Sequence, residues 1–169
     1  IKKLLPIFKE VQEKLGVDAT IIIPKHFSKE EIKEVYCSLT DFKIAYDAHE
    51  TLLRADFAFI CSGTATLEAS LIGIPFVLTY IAKPFDYFIA SRLVKLEYIG
   101  LANIMFSKFQ NRALHPEFIQ KDVNAANLIK AYETYERSRF LEDSKALRAY
   151  LKHGSSKRVA HIIEGRDED

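Results

Sequence analysis

The sequence predicts an α/β domain in which a parallel β-sheet is covered by helices on both faces. Short apolar runs of strand length alternate with segments of helical periodicity between Lys2 and Tyr80. The connections between them are short, about two to six residues, which is typical of repeated parallel strand–helix units. With 169 residues, 49% of them hydrophobic and 28% charged, the chain has the size and composition of one globular domain.

The first three elements follow from local signals. Apolar residues recur at helical spacing over Lys2–Leu15, and a glycine follows, so this segment is predicted to be a helix. The β-branched run Thr20–Ile23, closed by a proline, predicts a buried strand. Ser28 and Glu31 have the spacing of a capping box, in which each side chain bonds the other residue's backbone N–H. They predict a helix that continues to about Tyr36.

The next elements repeat the strand–helix alternation. Lys43–Tyr46 predicts a short strand, and Asp47 is placed to cap a helix over His49–Arg54. The apolar runs Phe57–Cys61 and Pro75–Tyr80 predict two further buried strands, with a helix of small residues between them. Ligands of such sheets bind beyond the carboxyl ends of the strands, which directs attention to the turns at that edge.

The second half of the chain is predicted to be mainly helical. Pro84–Leu96 has inward-facing apolar residues at helical spacing, whereas the short apolar run Leu101–Ile104 is expected to be a final strand. From Asp122 onward the pattern predicts helices, broken at Gly154. We expect one domain over residues 1–163, followed by a charged, disordered tail at 164–169.

The composition argues against several classes of protein function. The formal net charge is +1, so no strong field favours a nucleic-acid partner, and no apolar run approaches the roughly 20 residues that cross a bilayer. The two cysteines have the setting of reduced thiols, and the five histidines lack ligand spacing. We therefore expect no metal and no cofactor. Because the chain begins without Met and inside a helical pattern, we expect it to be a fragment of a longer protein.

The most informative segment is the turn between the third predicted strand and the helix after it. A buried strand stops at Ser62-Gly63-Thr64, and a helix begins at once. Backbone N–H groups and the helix dipole at such a turn can hold a phosphate, assisted here by the hydroxyls of Ser62, Thr64 and Thr66. The alternative is that Ser62 or Thr64 merely caps the helix. The turn has neither the Gly-Lys-Ser/Thr of a Walker loop nor the Gly-x-Ser-x-Gly of a nucleophile elbow.

Other polar residues near this turn allow two interpretations each. Glu68 could accept two hydrogen bonds from a ribose diol, or it could pair with a cation. The amide of Asn103 could form a structural turn bond or contact a pyrophosphate or donor sugar. Lys83, Arg92 and Lys95 could face phosphates, a second domain or an anionic membrane, or simply form a solvated face.

Taken in order and with their spacing, these motifs resemble the C-terminal half of the lipid-A-disaccharide synthase family. The matching residues are Ser62-Gly63-Thr64-Ala65-Thr66-Leu67-Glu68, Gly73-Ile74-Pro75, Tyr80, Lys83-Pro84, Arg92-Leu93-Val94-Lys95 and Asn103-Ile104. The similarity runs from near the N-terminus to about Ile163. The resemblance implies a GT-B glycosyltransferase whose C-terminal Rossmann-like domain, followed by C-terminal helices, binds the nucleotide of a UDP-sugar. The implied reaction joins UDP-2,3-diacylglucosamine to 2,3-diacylglucosamine 1-phosphate through a β-1,6 bond, releases UDP and needs no metal.

The resemblance also implies roles for individual residues. Those expected at the nucleotide or donor are Ser62, Gly63, Thr64 and Thr66 for the diphosphate, Glu68 for the ribose, and Arg92 and Asn103 near the donor or the domain interface. The general base and the acceptor site are expected in an N-terminal domain that this chain lacks. The resemblance therefore implies a fragment that carries no catalytic residue and is inactive alone.

Partners and location are implied in the same way. The helices after Asp122 are expected to dock on a second subunit or on the missing acceptor domain, and the parent enzyme is expected in the bacterial cytoplasm, peripheral to the inner membrane. Two other classes stay open. One is another GT-B-type UDP-sugar enzyme, such as an N-acetylglucosaminyltransferase or a UDP-sugar epimerase. The other is a non-catalytic Rossmann-like interaction domain whose Ser-Gly-Thr turn is only a cap.

Overall fold

Parallel strands alternate with helices in the computed structural model, which describes residues 1–36, 42–82 and 97–152. Strands β1 (Thr20–Ile22) and β2 (Lys43–Ala45) pair in parallel, with Ile21 opposite Ile44. A second parallel sheet has the order β3-β4-β5, and its strands are β3 (Ala58–Ile60), β4 (Phe76–Tyr80) and β5 (Glu117–Ile119). The predicted α/β class with parallel sheets is confirmed.

Helices connect and flank these strands. In chain order they are α1 Leu5–Leu15, α2 Lys29–Val35, α3 Ala48–Leu53, α4 Gly63–Ile72, α5 Leu101–Gln110, α6 Ala125–Thr134 and α7 Arg137–Leu151. A short 3₁₀ turn, Gln120–Asp122, follows β5. Among the described residues, no helix is both long and apolar enough to cross a bilayer.

The residues that were predicted to begin and end helices do so in the structure. The hydroxyl of Ser28 accepts from the backbone N–H of Glu31 at 3.2 Å, and the Glu31 carboxylate accepts from the Ser28 N–H at 2.8 Å, which completes the capping box. Asp47 caps α3 by accepting from the N–H of Glu50 at 3.1 Å. Gly73 ends α4 in the left-handed conformation at φ 91°, where a side chain would be strained.

Strand β4 lies between two apolar clusters because its successive side chains point to opposite faces. Phe76 and Leu78 belong to the cluster that includes buried residues of α4, α5 and α7. Val77 points the other way and packs with Val11 of α1 and Leu128 of α6. Helices therefore cover both faces of this sheet, and the turns after β3 and β4 emerge together at its carboxyl edge.

One element was predicted wrongly. Leu101–Ile104 is not a final strand; it forms the start of helix α5, and the third strand of the sheet is Glu117–Ile119 instead. The buried residues Ala102, Asn103 and Phe106 have helical spacing, which outweighs the strand-like appearance of a four-residue apolar run.

Some predictions concern segments outside the described residues. The predicted helix Pro84–Leu96, including Arg92, lies there, as do the break at Gly154 and the tail 164–169. The helices predicted after Asp122 are confirmed as far as Leu151.

Candidate functional site

The turn between β3 and α4 lies at the carboxyl edge of the three-stranded sheet. Strand β3 ends at Ile60, and α4 begins at Gly63 with Ser62 as its N-cap residue in extended conformation. The Ser62 side chain is exposed and makes no capping hydrogen bond to the helix, and Thr64 is exposed as well. The structure therefore contradicts the alternative in which Ser62 caps this helix through its hydroxyl. Among the residues that the structure describes, none is seen to cap the first turn of α4 through its side chain.

Gly63 is required by a close backbone approach. A Cβ placed on Gly63 would lie 2.7 Å from the carbonyl oxygen of Ile99, well inside van der Waals contact. The glycine thus lets the segment before α5 lie directly against the first turn of α4. Only the absence of a side chain permits that contact.

Thr66 connects the same two helices from inside. Its side chain is fully buried; the hydroxyl donates to the Gly63 carbonyl oxygen at 2.5 Å and accepts from the Ala102 N–H at 3.2 Å. Both hydrogen-bonding functions of this hydroxyl are thus used within the chain. The predicted contact between Thr66 and a diphosphate stays a prediction, while the observed geometry gives Thr66 a structural role.

Glu68 lies one helical turn beyond Thr64, and both side chains are exposed. It therefore projects from the same side of α4 as the open first turn. Within residues 1–36, 42–82 and 97–152, no Lys, Arg or His forms an ion pair with Glu68. The described part of the chain thus gives no support to the salt-bridge interpretation, and the role of Glu68 at a ribose stays a prediction.

The start of α5 is held by a carboxylate that the sequence interpretation missed. Glu117, the first residue of β5, accepts from the Ile99 N–H at 2.8 Å through Oε2. Its Oε1 accepts from the Gly100 N–H at 2.9 Å and from the Asn103 side-chain amide at 2.8 Å. The N-cap residue of α5 is Gly100, which has no side chain to serve this purpose. Glu117 therefore supplies the cap from a different element.

Asn103 is fully buried, and its amide is saturated by the chain. The nitrogen donates to the His115 carbonyl oxygen at 2.9 Å and to Glu117, while the oxygen accepts from the N–H groups of Leu114 at 2.8 Å and His115 at 3.1 Å. An amide side chain has two donor and two acceptor positions, so all are taken. Of the two interpretations of Asn103, this geometry favours the structural one; the contact with a donor stays a prediction.

His115 lies beneath this network as a neutral ring. Burial lowers the pKa of His115 to about 4, against the smaller opposing effects of the Pro116 carbonyl and the Glu117 charge. Its Nδ1 lies 3.0 Å from the Pro116 carbonyl oxygen, and the ring packs on Phe76 with centroids 4.4 Å apart. A Cβ on Gly100 would lie 2.8 Å from Nε2, so the glycine is needed here as well. Because the imidazole is uncharged near pH 7, Glu117 supplies the charge of the cluster.

Cys61 lies directly below the turn and is not an activated nucleophile. Burial raises the pKa of its thiol, with a smaller opposing effect from Thr79, whose hydroxyl oxygen lies 3.5 Å from the sulfur. The thiol is therefore protonated at neutral pH. Among the described residues, no group of His, Cys, Asp and Glu has the arrangement of a metal site.

The structure brings most of the predicted site residues to one place. Ser62, Thr64 and Glu68 are exposed on the first turns of α4, and Gly63 packs against Ile99. Thr66 and Asn103 support this turn from the interior. Arg92 lies outside the described residues. The sequence signals for the missed carboxylate were weak, since an acid before a two-residue apolar run is common.

Comparison with known proteins shows which sequences this chain is similar to. A family described as lipid-A-disaccharide synthetase matches residues 2–163. The lipid-A-disaccharide synthase of Helicobacter pylori strain G27 is 44% identical over an alignment of 174 positions, which covers 95% of this chain and 48% of that protein. The one of Campylobacter jejuni strain RM1221 is 47% identical over 163 residues, covering 96% of this chain and 44% of that protein. The chain thus spans about half the length of these curated relatives.

Proposed function

Because the chain belongs to the lipid-A-disaccharide synthetase family, we propose that it forms the half of a glycosyltransferase that binds the UDP-sugar donor. The observation that carries this proposal is the open N-terminus of α4, where Ser62 makes no capping hydrogen bond and both Ser62 and Thr64 are exposed. A helix of ten residues presents its positive end there, and the local backbone N–H groups can hold a diphosphate.

The exposed carboxylate of Glu68 fits the ribose of the same nucleotide. It lies about 6 Å further along the helix axis than Thr64, from four residues at the ordinary rise of an α-helix. In a nucleoside diphosphate the ribose 2′- and 3′-hydroxyls lie at a comparable distance from the α-phosphate. A carboxylate there can accept hydrogen bonds from both hydroxyls of the diol, as acidic residues do in dinucleotide sites. We therefore assign the diphosphate to the turn and the ribose to Glu68.

The finer proposal concerns the reaction of the whole protein. We propose that it transfers the sugar of UDP-2,3-diacylglucosamine to the 6-hydroxyl of 2,3-diacylglucosamine 1-phosphate, forming a β-1,6 bond. As UDP departs, negative charge grows on its β-phosphate, and the N–H groups at Gly63–Ala65 would stabilise that charge. The base that takes the hydroxyl proton is assigned to the part of the relatives that this chain does not match. Three expectations remain predictions. They are that Arg92 lies near the donor or the domain interface, that the protein is peripheral to a membrane, and that it dimerises through its C-terminal helices.

The test is calorimetric titration of the 169-residue chain with UDP, CMP and uracil. We expect a UDP-specific binding isotherm at up to millimolar ligand and no sugar transfer by this chain alone. Glu68→Ala should weaken UDP binding by about tenfold or more, because both hydrogen bonds to the ribose diol are lost, while uracil binding stays unchanged. Glu133→Ala is the matched control, since Glu133 is also an exposed helical acid but lies on α6, against the other face of the sheet.

Two results would contradict the proposal. A chain that binds UDP no better than CMP has no uridine-diphosphate site, and the interaction-domain alternative would then be favoured. Equal losses for UDP and uracil in Glu68→Ala would remove the ribose role from Glu68.

A further inference from the structure

Helices α4 and α5 begin next to each other beside the proposed site, but the backbone N–H groups at their N-termini have different partners. In the part of the chain that the structure describes, the N-cap residue Ser62 donates or accepts no side-chain capping hydrogen bond at the first turn of α4. The start of α5 is occupied by the Glu117 carboxylate, which binds the N–H groups of Ile99 and Gly100. An internal anion thus satisfies the positive end of α5, whereas no carboxylate of the described residues does so at α4.

The same carboxylate is connected to the α4 turn through a short chain of contacts. Glu117 holds the N–H of Ile99, and the carbonyl oxygen of Ile99 lies against the α-carbon of Gly63, 2.7 Å from where a Cβ would be. One residue beyond Gly100, the helix begins, and the Ala102 N–H donates to the hydroxyl of Thr66 at 3.2 Å. Both contacts end on the first turn of α4.

The remaining atoms of the cluster keep Glu117 in place. Asn103 donates to Oε1 while its other bonds fix the backbone at Leu114 and His115, just before β5 begins. Gly100 leaves room for this arrangement, because a Cβ there would lie 2.9 Å from Oε1 of Glu117. The carboxylate therefore has one defined position, set from both sides.

We infer that Glu117 is a positioning residue of the donor site: it fixes the segment at residues 99–100 against Gly63 and thereby sets the shape of the diphosphate-binding turn. Glu117 does not contact the donor itself. The inference rests on the proposed function and deepens it, because it names the group that holds residues 99–100 against the turn assigned to the diphosphate. Loss of Glu117 should therefore weaken binding of the diphosphate and leave binding of the uracil base unchanged.

The substitution that tests this is Glu117→Gln, which preserves shape but replaces one acceptor oxygen by an amide group that cannot accept from an N–H. We expect UDP affinity to fall by about tenfold while uridine affinity changes by less than about twofold, both measured by NMR titration below the unfolding temperature. Glu117→Asp keeps the charge but is one methylene shorter. It should show the same selective loss and serves as the second variant if the Gln protein does not fold.

Asp143→Asn is the control for lost stability. It removes a partly buried ion pair with Arg112, whose two nitrogens lie 2.7 and 2.5 Å from the carboxylate oxygens, at the opposite edge of the sheet. It should destabilise the fold but leave the ratio of UDP to uridine affinity as in the unsubstituted chain.

A second readout needs no ligand. Amide hydrogen exchange at Leu67 and Ala102 should accelerate in Glu117→Gln and not in Asp143→Asn, because only the first loosens the contact between α5 and α4. Equal losses for UDP and uridine, or unchanged exchange at Leu67, would overturn the positioning role. If the unsubstituted chain binds no UDP, the proposed function fails, and exchange at Leu67 alone decides whether Glu117 holds the turn.

Discussion

Replacing Gly63 by alanine is the sharpest test of how the turn is built. Alanine would place a Cβ 2.7 Å from the Ile99 carbonyl oxygen, about 0.5–1 Å closer than such atoms normally approach. The obstructing atom belongs to the backbone, and the N–H of the same residue is bonded to Glu117. No side-chain rotation can relieve the contact, so the segment must move or the helix must shift.

The magnitude follows from two opposing contributions. Overpacking of this kind costs about 1–3 kcal/mol, whereas alanine in place of glycine in a helix returns up to about 1 kcal/mol. We expect a net loss of about 1–2 kcal/mol in the free energy of unfolding, measured by urea denaturation. For a chain of this length it corresponds to a fall in Tm of roughly 2–8 °C.

The matched control is Thr64→Ala, the neighbouring position in the same turn. Thr64 is exposed, so its truncation should change stability by less than about 0.5 kcal/mol. If Gly63→Ala is as stable as the unsubstituted chain, the close approach of Ile99 is not a constraint, and the coupling between the two helices is refuted.

Two further predictions concern residues behind the site. Asp143→Asn should lower the free energy of unfolding by about 1–3 kcal/mol, because it disrupts a bidentate ion pair in which Asp143 is only 8% exposed; urea denaturation measures this, and an unchanged midpoint would refute it. Stability should fall as the pH drops from about 6.5 towards 4, because burial lowers the pKa of His115 to about 4 and the unfolded chain then binds a proton that the folded chain does not. The contribution of His115 to this fall should reach about 3 kcal/mol at most, and His115→Phe, followed by thermal unfolding across this pH range, should flatten it.

The sequence predicted the elements whose signals are local. The capping box at Ser28, the cap at Asp47 and the left-handed glycine at Gly73 each depend on residues within one turn of the chain, so their meaning survives in any tertiary context. The strand–turn–helix around Ser62 is of the same kind. The motif series also predicted the family, which the match over residues 2–163 confirms.

Prediction failed where the decisive partner is distant in sequence. Leu101–Ile104 was expected to be a strand because a short apolar run suits either structure, and the face that the helix buries against α4 is defined by residues far away in the sequence. For the same reason Asn103 allowed two interpretations, until the structure showed all four of its hydrogen-bonding positions in use.

The sequence by itself therefore determined the α/β class, the position of the exposed turn at Ser62-Gly63-Thr64 and the acid at Glu68, since each is encoded by near neighbours. Only the tertiary structure decided which helix N-terminus is open. Glu117 lies 17 residues from Gly100, and it reaches α5 only because β5 pairs beside β4 and brings its carboxylate to the start of that helix. Every helix has a partial positive charge at its N-terminus, but which anionic group binds there depends on the tertiary contacts.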